Sequence, residues 1–375
     1  MIKFNVPPRT GEELKYIEDA IISEKICGDG KYTKLCTEIL EEKLNAKKVY
    51  LTTSGTSALE MACILVGLKE GDEVILPSFT FSSSATSIVL FDAIPVFVDC
   101  HKDTMNMDES LIEAAITEKT KAIMVMHYAG VGCNMDKIME IAKKHNLRVI
   151  EDAAQVVNAK YNGQYLGTIG DIGCFSFHET KNYSMGEGGA IIINRDEFIE
   201  RAAVLREKGT DRTKFLNGQL DKYTWVDKGS SYLPSDMLAA YLYPQLLKFD
   251  EINEDRKNSF NYYNELLTPL AKKGSIDLPK VPDNCSINGH LFYIKVKNIE
   301  ERKALQTYLR EKDIYTTFHY IPLHTCKAGL ELGRFVGEDK VTTIESERLL
   351  RLPMYYKLDK KDIEKVCEEI IGFYK

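Results

Sequence analysis

The stretch LGTIGDIGCFSFHETKNYSMGEGGAIIIN (166–194) holds two apolar runs joined by a polar turn rich in Gly, Ser and Glu. IGCFSF (172–177) and GAIIIN (189–194) are short, apolar and flanked by glycines, as strands buried on both faces tend to be. One lysine, Lys181, lies between them, shortly after the first run. A lysine desolvated at the end of a buried strand becomes an amine able to attack a carbonyl. On an open loop the same side chain is only a solvated cation, so its surroundings must decide.

Upstream lie KVYLTTS (48–54), EVILPSF (73–79), IPVFVD (94–99), AIMVMH (122–127) and RVIEDA (148–153). Between the early runs, SALEMACILVGL and MDKIMEIAKKHN are apolar at i, i+3, i+4 and i+7, the pattern of amphipathic helices. Val- and Ile-rich runs alternating with helices predict an α/β fold, a mostly parallel seven-stranded sheet covered on both faces. Downstream the pattern changes. YPQLLKFDEINEDRKNSFNYYNELLTPLAKKG reads as one long helix, followed by strands at 290–296 and 315–320 and helices around 300–311, 341–350 and 360–373. At ~150 residues per domain, 375 residues give two or three; the pattern points to a large domain, 1–250, and a small C-terminal α/β domain, 251–375.

With 49 Lys and Arg against 56 Asp and Glu, the net charge of −7 disfavours nucleic acid as a partner, while leaving room for a local anion pocket. No apolar run approaches the ~18 residues that cross a bilayer, and MIKFNVPPRTGEE lacks a signal-peptide core, so no membrane association and a cytoplasmic location are expected. The nine cysteines show no C-x-x-C pair, and no HExxH motif accompanies the seven histidines; neither a disulfide framework nor a metal is expected.

Open parallel sheets bind ligands beyond the carboxyl ends of their strands. There the first run passes through Thr53-Ser54-Gly55-Thr56-Ser57 into a helix, which suits either a phosphate cup or an ordinary Ser/Thr N-cap. The fifth ends in Glu151-Asp152-Ala153-Ala154-Gln155, where a buried carboxylate needs a cation, a cap or a hydrogen bond. A phosphate cup, a strand-end Asp and a loop Lys, in that order, supply the three contacts of pyridoxal phosphate (PLP): phosphate, pyridinium nitrogen and covalent imine.

At these residues the chain resembles the DegT/StrS-type sugar-nucleotide aminotransferases, of the fold-type-I PLP superfamily that includes aspartate aminotransferase. SGTSALEMA, GDEVILPSFTFSSSA, MVMHYAG, VIEDAAQ, FHYIPLH, RLPMYYKL and the 166–194 stretch carry the likeness. MDESLIEAAITEKT, GCFSFHETKNY, DKYTW, GSSYL and TIESERLLRLP look like the subgroup that makes dTDP-4-amino-4,6-dideoxygalactose for enterobacterial common antigen.

The resemblance implies that Lys181 carries the cofactor and acts as base and acid, with Asp152 on the pyridinium nitrogen and Gln155 on the ring 3′-oxygen. It implies Gly55, Thr56 and Ser176 for the phosphate and Phe81 stacked on the ring. The family commonly has an Asn, supplied to the phosphate by the neighbouring subunit, where Gly229-Ser230-Ser231-Tyr232-Leu233 places Ser231. His178, three residues before Lys181, either steers the substrate or the cofactor phosphate or is a packed loop histidine. His319, Tyr320 and His324 are implied as substrate contacts at the mouth, or as a surface turn. Also implied are L-glutamate as donor, a dTDP-4-dehydro-6-deoxyhexose as acceptor, an axial 4-amino product and a homodimer with shared sites. The equatorial epimer and a UDP-sugar are the alternatives within this class, and a PLP-binding regulatory protein without catalysis is the alternative outside it, disfavoured because the lysine, the Asp and the cup are all present.

Overall fold

The computed structural model describes residues 1–375. The seven apolar runs from Lys48 onward become seven strands: β1 (Lys48–Thr52), β2 (Glu73–Pro77), β3 (Ile94–Val98), β4 (Thr120–Met126), β5 (Arg148–Asp152), β6 (Ile172–Ser176) and β7 (Gly189–Ile193). Further on come β8 (Phe292–Lys295), β9 (Arg334–Phe335) and β10 (Leu349–Leu352). The main sheet runs β1-β7-β6-β5-β4-β2-β3-β9, parallel except for β7, which opposes both β1 and β6.

Side chains of period two split the sheet's apolar residues between its faces. Ile75, Ile123 and Val125 join one core cluster, while Val74, Leu76, Ala122 and Met124 join the other. This double burial explains why the strands read as continuous apolar runs. The helices that matter for the site are α1 (Gly55–Leu65), α2 (Ser82–Val89), α3 (Asp236–Leu247) and α4 (Phe249–Lys272). Helices α5 (Ile299–Glu311), α6 (Thr342–Arg348) and α7 (Lys360–Phe373) follow.

The structure corrects the sequence reading in four places. The sheet has eight strands, because the two-residue β9 pairs parallel with β3 at Val96 and Phe97. Arg334 clamps that edge, donating from Nε and Nη2 to the two Glu73 oxygens at 3.0 and 2.9 Å. The segment 315–320 is no strand: its one ladder contact, Thr317 with Arg351, is isolated, and it carries His319 and Tyr320 toward an aromatic cluster with Phe79 and Tyr128. The helix expected to end at 350 stops at Arg348, and the chain extends into β10, paired antiparallel with β8. Pro353 favours that extension, since it disfavours a helical residue before it.

The fourth correction concerns the long helix, which is two helices broken at Lys248 (φ −104°, ψ 30°). Anchors on either side set the bend. Gln245 exchanges hydrogen bonds of 2.9 Å with the backbone N–H and carbonyl of Ser184, and buried Phe249 stacks on Tyr183 at 5.1 Å. Helix α4 contributes Phe249 and Ile252 to one sheet-face core, then Phe260, Tyr263, Leu267 and Leu270 to a separate C-terminal core.

Candidate active site

The strand-end residues converge on a cavity of about 740 Å³ lined by both halves of the chain. The turn after β6 is closed by Phe177 N–H to Gly188 O at 2.8 Å and Glu179 N–H to Gly186 O at 2.9 Å. It is then tied to its neighbours. Asn182 Nδ2 donates to Asn288 O at 2.8 Å, Tyr183 hydroxyl to Phe249 O at 2.6 Å, and Asn182 Oδ1 lies 2.9 Å from His290 Nδ1. These bonds fix the backbone on which Lys181 stands. Burial pulls the Lys181 amine down to about 8, with Asp152 opposing and Arg351 reinforcing the shift. At pH 7 roughly a tenth of such an amine is neutral, far more than for an ordinary lysine near 10.5, and the neutral form is the nucleophile.

Asp152 closes β5 and is 4% exposed. Burial raises its carboxyl, opposed by a 2.7 Å bond from Ser84 Oγ to Oδ2 and a 3.2 Å bond from Ala154 N–H to Oδ1. Gln155 accepts from Ala129 N–H at 2.8 Å and donates to the Tyr320 hydroxyl at 2.9 Å, so its amide is held from both ends.

Helix α1 points its N-terminus into the cavity, capped by Ser54 Oγ accepting from Ser57 N–H at 3.0 Å. Its unpaired N–H groups and dipole favour an anion there. At Gly55 a Cβ would lie 2.9 Å from Ser176 Cβ, so only glycine lets helix and strand end close into one cup. Thr56 Oγ1 meets Ser83 Oγ at 2.8 Å, adding a hydroxyl that the sequence alone did not single out. Phe81 also lines the cavity, 57% exposed and with its ring 6.0 Å from that of Tyr320. An aromatic face left this open suits a planar ring. The cup, the strand-end carboxylate, the amine and the open aromatic fit PLP as a set.

The remaining expected residues divide. His178 lines the cavity, with Nδ1 2.9 Å from Thr180 Oγ1. His319 and Tyr320 line it too, and burial pushes His319 well below the ordinary histidine value. His324 does not. Its Nδ1 lies 2.6 Å from Ser78 Oγ and its Nε2 3.0 Å from Asp339, so it ties the C-terminal segment to the end of β2. Ser231 is exposed, bridged to Glu207, and outside this chain's own cavity.

Sequence reasoning missed Arg351, His290, Thr80 and Ser84, which all stand at or against the cavity. Arg351, on β10, donates from Nε and Nη2 to Phe318 O at 3.3 and 3.1 Å, lies over the Phe4 ring and forms no ion pair. Its signal was an arginine set among the buried leucines of RLLRLP. Away from the cavity, His101, Asp108 and Glu109 place three ligand-type atoms within 4.8 Å of one another, though Glu109 already accepts from Asn134 at 2.7 Å.

A family model for DegT/DnrJ/EryC1/StrS aminotransferases matches residues 8–371. The GDP-perosamine synthase of Escherichia coli O157:H7 is 31% identical over 371 residues, covering 98% of this chain and 97% of that protein. The dTDP-3-amino-3,6-dideoxy-alpha-D-galactopyranose transaminase of Aneurinibacillus thermoaerophilus is 38% identical over 329 residues, 87% of this chain and 85% of that one. The putative sugar aminotransferase Spr1654 from Streptococcus pneumoniae, solved in PLP and PMP forms, superposes with a TM-score of 0.89 at 26% identity. Its PLP form covers 99% of this chain and 98% of its own.

Proposed function

Since the chain belongs to the DegT/DnrJ/EryC1/StrS aminotransferase family, has the fold-type-I architecture and uses PLP, we propose a 4-aminotransferase of a dTDP-sugar. It moves the amino group of L-glutamate to C4 of a dTDP-4-dehydro-6-deoxyhexose and yields dTDP-4-amino-4,6-dideoxy-D-galactose, in the cytoplasm and as a homodimer with shared sites. The observation that carries the transamination is the Lys181 amine, drawn down to about 8 within one cavity with the Asp152 carboxylate and the Gly55–Thr56–Ser176 cup.

The bound cofactor supplies an electron sink for the carbanion formed at the substrate carbon. The protein supplies the rest. Lys181 Nζ, which would hold the cofactor, would also be the base that takes the proton from Cα of glutamate in the donor half-reaction and the acid that delivers one to C4 of the sugar in the acceptor half-reaction. Asp152, as the anion, would keep the cofactor's pyridine nitrogen protonated. Arg351, with no carboxylate partner in the protein, pairs with the donor's carboxylate, and the Phe81 face and the Gln155 amide orient the ring.

The dTDP reading draws support from the Aneurinibacillus relative. GDP-perosamine synthases among the relatives favour a second reading, a GDP-linked sugar. Purified protein loaded with PLP should lose its visible absorption band on adding L-glutamate. It should then aminate dTDP-4-dehydro-6-deoxyglucose, with proton couplings at C4 showing an axial amine. Faster turnover of the GDP-sugar would establish the second reading; an equatorial amine would overturn the proposed product and leave transamination standing.

A further inference from the structure

We propose that Ser84, oriented by Thr80, is a positioning residue that holds the Asp152 carboxylate ionised and turned toward the cofactor ring. Thr80 and Ser84 are each 1% exposed, and Asp152 is 4% exposed. Thr80 Oγ1 and Ser84 Oγ lie 2.7 Å apart, and Ser84 Oγ lies 2.7 Å from Asp152 Oδ2. A hydroxyl has a single hydrogen. When Ser84 gives it to the carboxylate, Ser84 Oγ can only accept from Thr80, so the relay runs from Thr80 through Ser84 to Asp152. Oδ1 keeps one 3.2 Å bond, from Ala154 N–H, and retains acceptor capacity for a ring N–H.

Helix α2 makes this arrangement stiff. Ser84 lies in its first turn, its N–H bonded to Phe81 O at 3.2 Å and its carbonyl accepting from Ser87 Oγ at 2.9 Å. One helical turn therefore sets both the aromatic Phe81 and the hydroxyl on Asp152. The titratable groups facing Asp152 from other elements are Lys181 beyond β6, Cys174 on β6, His127 at the end of β4, and Tyr320 from the C-terminal segment. Cys174 and Tyr320 are neutral in the working range, both raised by burial. His127 turns Nε2 to Glu151 at 2.9 Å and accepts from Cys133 N–H at 3.1 Å, so neither ring nitrogen is free for Asp152. Lys181 and His127 act on the carboxylate through charge alone, with no hydrogen bond to it. The Ser84 hydroxyl is then the shortest protein hydrogen bond that opposes neutralisation by burial.

The proposal rests on PLP being the cofactor, and the test separates the two. Wild type, Ser84→Ala, Ser84→Thr and Thr80→Val are loaded with PLP; the dissociation constant and the pH titration of the bound cofactor's visible band are read for each. A hydrogen bond to a charged group justifies an effect of about tenfold in PLP affinity and about one pH unit. Ser84→Ala should bind PLP about tenfold more weakly, with the acid limb of its titration moved up by about one unit. Ser84→Thr should restore both, and Thr80→Val should move the limb the same way by less. Wild-type values in Ser84→Ala, or equal damage in the Ala and Thr variants, would overturn the proposal. Should Ser84→Ala fail to fold, an unmoved acid limb in Thr80→Val would overturn it too. Failure of wild type to hold PLP would instead remove the cofactor reading beneath it.

Discussion

Lys181 has to be a free amine before it can capture an aldehyde, and burial brings its pKa to about 8. The apoprotein should therefore take up PLP at a rate that rises as pH climbs from 6 to 8 and then levels off. An ordinary lysine near 10.5 would still be gaining rate at pH 10. Stopped-flow growth of the visible band measures this, and a rate still rising beyond pH 9 would contradict the lowered pKa. The sequence made Lys181 and Asp152 legible because strand ends on a parallel sheet face the ligand crevice. Ser84 was hidden within Ser82-Ser83-Ser84, where spacing alone does not say which hydroxyl turns inward. Arg351 was hidden because its segment read as the end of a helix, and only the β8–β10 ladder turns it to the cavity.

Helix α1 shows how an element makes a binding surface out of a steric allowance. Its N-terminus approaches β6 so closely that an alanine at Gly55 would put Cβ 2.9 Å from Ser176 Cβ and 3.3 Å from its Oγ. Helix propensity favours alanine over glycine by about 1 kcal/mol, whereas forced overpacking costs about 1–3 kcal/mol, so the clash should dominate. Gly55→Ala should thus loosen the cup, weakening PLP by about tenfold while pyridoxal, which lacks the phosphate, is little affected. Isothermal titration of both ligands checks this; equal loss for both would point to a general disturbance of the cavity. At this scale the seven apolar runs were legible because two-sided burial demands continuous hydrophobicity. The eighth strand was not, since Arg334 and Phe335 have too little pattern to read, and the 315–320 segment misled because aromatic packing, rather than a ladder, holds it extended.

Across the whole molecule, the −7 charge coexists with a cavity whose lining sets Lys181 and Arg351 beside Asp152 and Glu187, so an anionic substrate is received there by individual cations rather than by a net charge. We propose that the changeover between the two domains falls within α4, between Ile252 and Phe260, where the helix passes from one core to the other; a helix there leaves no flexible linker. The segment leading to Ser231 bears on the proposed homodimer. Leu216 is 60% exposed, Tyr223 48%, Trp225 79% and Val226 54%, a local density of large apolar groups that a second copy would cover. Trp225 is the chain's single tryptophan, so its fluorescence reports on this segment alone. In the dimer its emission should be blue-shifted and shielded from acrylamide, and dilution below the dissociation constant should redden it in step with the fall in sedimenting mass. Ser231→Ala should leave that transition unchanged but weaken PLP binding in the dimer, as expected of a hydroxyl lent to the neighbouring cup. A fully active monomer with solvent-like tryptophan emission would rule out both the dimer and the role of Ser231.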